Sequence, residues 1–455
     1  LGRIPATLFE GKIVKKFYIL ATATILALFV TIFSYNLIAQ QPLTSQQMRV
    51  LESVEGILKE IGQIRGLSAK STVKSGFKSR QQLYEVVVKE FDEELPPEKL
   101  AAQGRVLARL GLVPKGFRFR EEMIKVLQEQ VGGFYDPKRA ELYLIDDGKE
   151  SEAEQRIVMA HELMHAIQDQ NFNLRRFEKF PNDQGDQELA IQALIEGEAT
   201  IVMFNYLLKP QGLDLTKSPK MLAVMSDAIN SQNSDTPALR TAPSVIRETL
   251  IFPYLSGASF IQKLVEQSSW QKVSQAYQNL PESTEQILHP EKYLQKESPV
   301  KVTQPDLAAS PGKDWKSSDI DVLGEFTYYL ILSQFLSKSE AQRAAAGWGG
   351  DQAVFYDRAV EGDVIVLQST WDTEKDATEL FNAYISRTQK RYSTAKLITD
   401  ESNLKVYETT EGQVLIEQRQ KDIVIVEGAT AAQLKSVRAQ LWPQSKPAVP
   451  EAAHR

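Results

Sequence analysis

The run His161-Glu162-Leu163-Met164-His165 brings two imidazoles and a carboxylate together in one short stretch. On an α-helix, His161 and His165 are one turn apart and project from the same face. Two imidazoles so placed can hold one Zn²⁺ from a single rigid element, and Glu162 beside the first could take a proton from a water on the metal. The chain has 4 histidines, so this run holds half of its imidazoles. With 0 cysteines, zinc sites built on thiolate are excluded, as are disulfides. A third ligand is still needed, and a catalytic site leaves a fourth position open for water. The other histidines are His289 and His454, and a carboxylate is the better candidate. Glu196 lies in a helical, mostly small or apolar pattern over residues 188–200, with Ala193, Ala199 and Met203 on its own face. An acid on an apolar face is costly unless it is paired or bound to a metal. Glu198 is about 200° further round that helix, so it is expected to face solvent.

The elements that must position these groups are also legible. Ser151 and Glu154 form a capping box at the start of the histidine helix. Ile157, Ala160, Met164 and Ile167 follow at spacings of three and four, an apolar stripe beside the histidines. Ahead of it, residues 141–146 alternate as a strand does and end in the turn Asp147-Gly148. A strand there is expected to offer an edge to an extended peptide.

The His161–His165 run, followed downstream by Leu194-Ile195-Glu196-Gly197-Glu198-Ala199, resembles the gluzincin metallopeptidases. More narrowly, it resembles a group of bacterial membrane-anchored zincin-like proteins, through Gly132-Gly133-Phe134-Tyr135-Asp136-Pro137, the histidine helix as far as Gln170, residues 194–200, Phe252-Pro253-Tyr254, residues 283–293 and Gly347-Trp348-Gly349-Gly350-Asp351. The resemblance implies a zinc site of His161, His165 and Glu196 with Glu162 as general base, and a protein or peptide substrate. Many gluzincins carry an acid four residues after the ligand glutamate, where it supports a histidine. Thr200 stands at that position here, so orientation of the ligands falls to Thr200, Asp169 or Glu198. Metal-assisted hydrolysis also needs a donor for the tetrahedral oxyanion. His289 is the leading candidate, although a histidine before proline is more commonly a loop or capping residue. Tyr206 and Tyr135 are weaker ones.

Length suggests about three domains. A hydrophobic content of 42% and a charged content of 25% are those of a globular protein. A net charge of −6 and the lack of a basic patch set nucleic-acid binding aside. Residues 17–39 are almost uninterrupted apolar sequence, long enough to cross a bilayer. Lys12, Lys15 and Lys16 precede them and no Lys or Arg follows until Arg49. The expectation is a single-pass anchor with residues 1–16 cytoplasmic and the rest outside. A signal peptide cut near Ala39 is the competing reading, but Leu37 is a poor −3 residue.

The expected fold class is α+β. Residues 43–115 read as helices that either pack on the core or form a pro-like lobe. Residues 116–299 read as a mostly helical zincin-like core with a short sheet, and 300–319 as a linker. Residues 320–442 read as one long helix (321–345) and a small, mainly antiparallel α+β domain, and 443–455 as a disordered tail. Gly347 to Asp351 is expected to be a tight turn entering a strand, since it lacks phosphate-loop spacing. The competing function is a non-catalytic binding or scaffold protein at the membrane. Retention of Glu162 speaks against it, because such a protein has no chemical use for the base. Oligomeric state is not legible.

Overall fold

The computed structural model describes residues 42–94, 97–177, 181, 183–232, 237–307, 316–357 and 363–442. The expected membrane segment (17–39), the stretch before it that was expected to be cytoplasmic, the tail 443–455 and His454 lie outside the described residues. Among the described residues, no helix is long and apolar enough to cross a membrane. The chain is α+β and divides into two compact units, residues 1–299 with 321–334, and 300–320 with 335–455.

The first unit is mostly helical. It opens with α1 (Ser45–Glu52), α2 (Val54–Arg65), β1 (Lys74–Ser79), α3 (Arg80–Glu94), α4 (Pro97–Arg109) and α5 (Phe119–Gln130). Next come β2 (Gly133–Asp136), β3 (Glu141–Asp146), α6 (Glu152–Phe172), α7 (Gly185–Leu208), α8 (Pro219–Gln232) and α9 (Pro237–Thr241). It closes with α10 (Ser244–Gln267), α11 (Trp270–Ala276), α12 (Thr284–Leu288), α13 (Pro290–Gln295) and α14 (Gly324–Ser333). The small sheet runs β1-β3-β2, with β1 parallel and β2 antiparallel to β3. This corrects one expectation. β3 is the interior strand, so its edges are already used and it cannot receive an added peptide strand. Gly133 starts β2, paired with Leu144. β1, of sequence Lys-Ser-Gly-Phe-Lys-Ser, carries no apolar alternation and was not foreseen.

α6 is the long helix at the centre of this unit. Its capping box forms as expected: the Ser151 side chain accepts from the Glu154 amide and Glu154 reaches back to the Ser151 amide. From Met159 to Gln168 every residue is buried, because α2 and α7 pack on α6. Val54, Ile57 and Ile61 of α2 join Met159, Leu163, Met164 and Ile167 of α6 in one apolar cluster. The expectation that residues 43–115 are either packed on the core or a separable lobe therefore resolves, for α2, to the core itself.

α7 and α10 lie in close contact. Gly197 sits against the backbone of Gly257, and Gly257 against the Ala193 carbonyl, with no room for a Cβ on either glycine. Two long helices can approach this closely only where neither presents a side chain. Pro253 lies inside α10.

The second unit contains β4 (Lys316–Asp321), α15 (Lys338–Ala345), β5 (Trp348–Asp357), β6 (Val364–Trp371) and α16 (Glu374–Arg391), followed by β7 (Lys396–Glu401), β8 (Leu404–Thr409), β9 (Gly412–Arg419), β10 (Asp422–Ala429) and α17 (Ala431–Leu441). Its strands form one sheet in the order β4-β5-β6-β10-β9-β8-β7. The pairings from β5 to β7 are antiparallel, as expected. Gly347, at φ 79°, makes the turn into β5, but residues 348–351, expected in that turn, are already strand, with a register shift between Trp348 and Gly350. The expected linker ends in strand rather than loop, since residues from Lys316 onward form β4. The single helix expected over 321–345 is two: Gln334 closes α14 in the first unit, and Ser337 caps α15 in the second.

Candidate metal centre

His161, His165 and Glu196 come together although α6 and α7 are separate in sequence. One ligand atom from each lies within 4.8 Å of the others. His161 Nε2 is 3.1 Å from Glu196 Oε2, and His165 Nε2 is 3.6 Å from the same oxygen. The two rings stand edge to face with centroids 4.8 Å apart, as two imidazoles aimed at one point do. All three side chains are buried.

The electrostatics suit a cation. Burial pushes His161 down to about 4, with His165 adding to the fall and Glu196 opposing it, so its imidazole is neutral and able to ligate at neutral pH. Burial alone would raise Glu196, but His165 and His161 outweigh it and hold the carboxyl below its ordinary value. His165 Nε2 is a buried nitrogen with no hydrogen-bond partner. Buried polar atoms without a partner are rare, and one that faces a neutral histidine and a carboxylate fits a bound metal ion.

Glu162 is fully buried, and no side chain hydrogen-bonds its oxygens. Burial, and then the charge of Glu196, push its pKa well above the ordinary value, against the Tyr135 backbone. It is the group in the cluster best suited to hold and release a proton.

Glu198 does not face solvent, contrary to expectation. It is wholly buried, paired with Arg65, and accepts from Tyr277 Oη and from Gln168 Nε2 at 2.7 Å. Helical rotation does turn it away from Glu196, but α2 and α11 bring partners to that face. Gln168 in turn places its Oε1 2.6 Å from His165 Nδ1. Of the three residues expected to orient a ligand histidine, Glu198 alone is connected to one, through Gln168. Asp169 accepts from Tyr135 Oη at 3.2 Å and from the Leu174 amide at 3.0 Å, which ties down the end of α6. Thr200 is buried with its Oγ1 unpartnered.

His289 caps the junction of α12 and α13. Its Nε2 is 2.9 Å from Glu325 and its Nδ1 is 3.8 Å from Glu291, and none of its bonds leads to the metal group. Its expected place at the oxyanion is not supported by these contacts. Tyr206 is a partly buried phenol influenced by Glu60 and Arg156, and Tyr135 is committed to Asp169. The phenol that does reach the site is Tyr254 of α10. It hydrogen-bonds Glu196, its ring centroid is 5.9 Å from that of His161, and burial followed by the charges of Glu196 and Glu162 keeps it protonated. Sequence reasoning missed it because Phe252-Pro253-Tyr254 sits in an apolar helix that reads as core, and missed Gln168 and Arg65 because neither belongs to a spaced motif. The family resemblance includes Phe252-Pro253-Tyr254 but gives Tyr254 no role, and a buried Tyr's need for a hydroxyl partner was the physical signal that could have assigned one.

Residues 314–438 match a family described as a domain of unknown function, DUF8575. No curated protein matches the chain. A solved structure from Chloroflexus aurantiacus, described as a "putative hydrolase with a novel fold", is similar at 16% identity and a TM-score of 0.37, covering 56% of this chain and 92% of its own.

Proposed function

We propose that this chain is a zinc-dependent metallopeptidase, with His161, His165 and Glu196 as the residues that hold the ion. The observation that carries this reading is the convergence of three buried ligand atoms within 4.8 Å, with Glu162 buried on the same turn of α6. Two imidazoles and one carboxylate are a donor set that suits Zn²⁺, and three protein ligands leave a position for water. Zinc, when bound, supplies Lewis acidity that acidifies a water and polarises a carbonyl.

The chain's own groups supply the rest. Glu162 takes the proton from the attacking water and delivers it to the leaving nitrogen, the two half-steps of general acid–base catalysis. Its buried surroundings favour the protonated form it needs for the second half-step. Tyr254 keeps its proton and donates to the oxyanion as charge develops there. Burial of these residues keeps bulk water from them and strengthens each of these interactions. The apolar run of residues 17–39 would tether this activity to a membrane with the site on the extracytoplasmic side.

The test uses the purified full chain. Bound metal is measured first, and then cleavage of an unstructured protein by wild type and by Glu162→Gln is compared. Stoichiometric zinc with cleavage lost in the variant supports the peptidase. A chain that takes up no metal, or equal cleavage by both proteins, would overturn it. Extraction of the chain from membranes by detergent but not by carbonate tests the anchor.

A further inference from the structure

We propose that Gln168, Glu198 and Arg65 form a buried relay that holds His165 in the one tautomer able to bind a metal, which makes α2 a working part of the metal site. The relay presupposes the metal centre proposed above, but its first consequence is visible without any metal.

The tautomer follows from the bonds of Gln168. Its Nε2 donates to the Ile195 carbonyl at 2.9 Å and to Glu198 Oε2 at 2.7 Å. Swapping the amide would set its oxygen against two acceptors, so the orientation is fixed. Its Oε1 then faces His165 Nδ1 at 2.6 Å, and only an N–H can occupy that contact. His165 therefore carries a proton on Nδ1, and its neutral form presents the Nε2 lone pair toward Glu196, 3.6 Å away. An imidazole free to exchange tautomers would spend part of its time with a proton where the metal must bind.

Glu198 sets the orientation of Gln168, and a wholly buried carboxylate is costly unless it is paired and hydrogen-bonded. Arg65 Nε and Tyr277 Oη provide those contacts. Arg65 is itself buried, donates through Nη2 to Ser274 Oγ at 2.9 Å and stacks over Trp270 at 4.9 Å. The chain of contacts thus runs from the last turn of α2, through α7, to the imidazole on α6. A neutral amide against the imidazole orients it without drawing off its proton, while the carboxylate behind polarises that amide. An ion pair that merely clamped α2 to α7 would need no amide placed between it and a ligand histidine.

The decisive experiment is on the metal-free full chain with ¹⁵N-labelled histidine. In wild type, the His165 ring nitrogens should report a single tautomer protonated on Nδ1. In Gln168→Leu, which removes the acceptor and leaves Arg65 and Glu198 in place, the protonated nitrogen should become mixed or shift to Nε2. Zinc affinity, measured by competition with a chromophoric chelator, should fall about 10- to 100-fold in that variant. Arg65→Met should weaken zinc in the same direction. If it fails to fold, Gln168→Leu still decides. An unchanged tautomer together with unchanged zinc affinity in Gln168→Leu would overturn the relay. A wild type that shows the Nδ1 tautomer, lost in Gln168→Leu, but binds no zinc would uphold the relay and overturn the metallopeptidase.

Discussion

Glu162 and Tyr254 stand on opposite sides of one question, which group moves the proton and which only donates a hydrogen bond. Glu162 sits between the ligand histidines in sequence, and its raised pKa comes from burial and from Glu196. Replacing it with Gln keeps the shape and removes the proposed base. Turnover should fall about 10²- to 10⁴-fold while bound metal stays stoichiometric, as metal analysis alongside a cleavage assay would show. Tyr254→Phe should cost about 10²-fold in kcat with metal retained, the size expected for one oxyanion donor. His289 belongs to a different circuit. Its hydrogen bond to Glu325 raises its pKa, against partial burial, with Glu285 and Glu291 adding to the rise. In an NMR titration its midpoint should lie above the ordinary value of about 6.5, and Glu325→Gln should bring it down. Because the folded value is the raised one, the pair contributes its full stability below about pH 6.5 and loses it as pH rises through the folded value. A midpoint at or below the ordinary value would show that the Glu325 contact does not form in solution.

At the scale of elements, the site depends on two helix contacts that leave no motif. α7 carries Glu196, and its place is set by α10 through the Gly197–Gly257 approach. Gly257→Ala would drive a methyl into the Ala193 carbonyl one turn before the ligand. The cost should be about 1–3 kcal/mol of stability, read as a lower denaturant midpoint, with metal affinity falling as Glu196 is displaced. An alanine variant with wild-type midpoint would mean that the two helices are further apart than described. α2 is the second case. A sequence reading leaves residues 43–115 free to be a lobe laid over the core, but Val54, Ile57 and Ile61 are in the same cluster as the histidine helix and Arg65 ends in the site.

For the whole molecule, the proposed metal site would link metal binding to folding. An ion that binds the folded first unit and not the unfolded chain stabilises it by about 2.7 kcal/mol at a hundredfold excess over Kd. Calorimetry should show one transition rising with added zinc, and His161→Ala should abolish that rise without removing the transition itself. The second unit contains none of the three ligands, so a transition belonging to it should not respond. If every transition moved equally with zinc, the two units would be unfolding as one.

The histidine helix was legible in sequence, because a helix is a local structure. The capping box, the three- and four-residue spacing and the pairing of His161 with His165 on one face all follow from geometry within a few turns. The α+β class, and the mainly antiparallel sheet of the second unit, were legible for the same reason: strand alternation shows within six or eight residues. Glu196 was legible as an acid that an apolar helix face would not tolerate alone. Only the tertiary structure could decide what stands opposite each of these faces. It turned Glu198 from an expected solvent carboxylate into the buried partner of Arg65, tied His289 to Glu325, brought Tyr254 to the site, and put β3 in the interior of its sheet. Each of these depends on contacts between residues far apart in the chain, and neither periodicity nor spacing carries information about which distant face a side chain will meet.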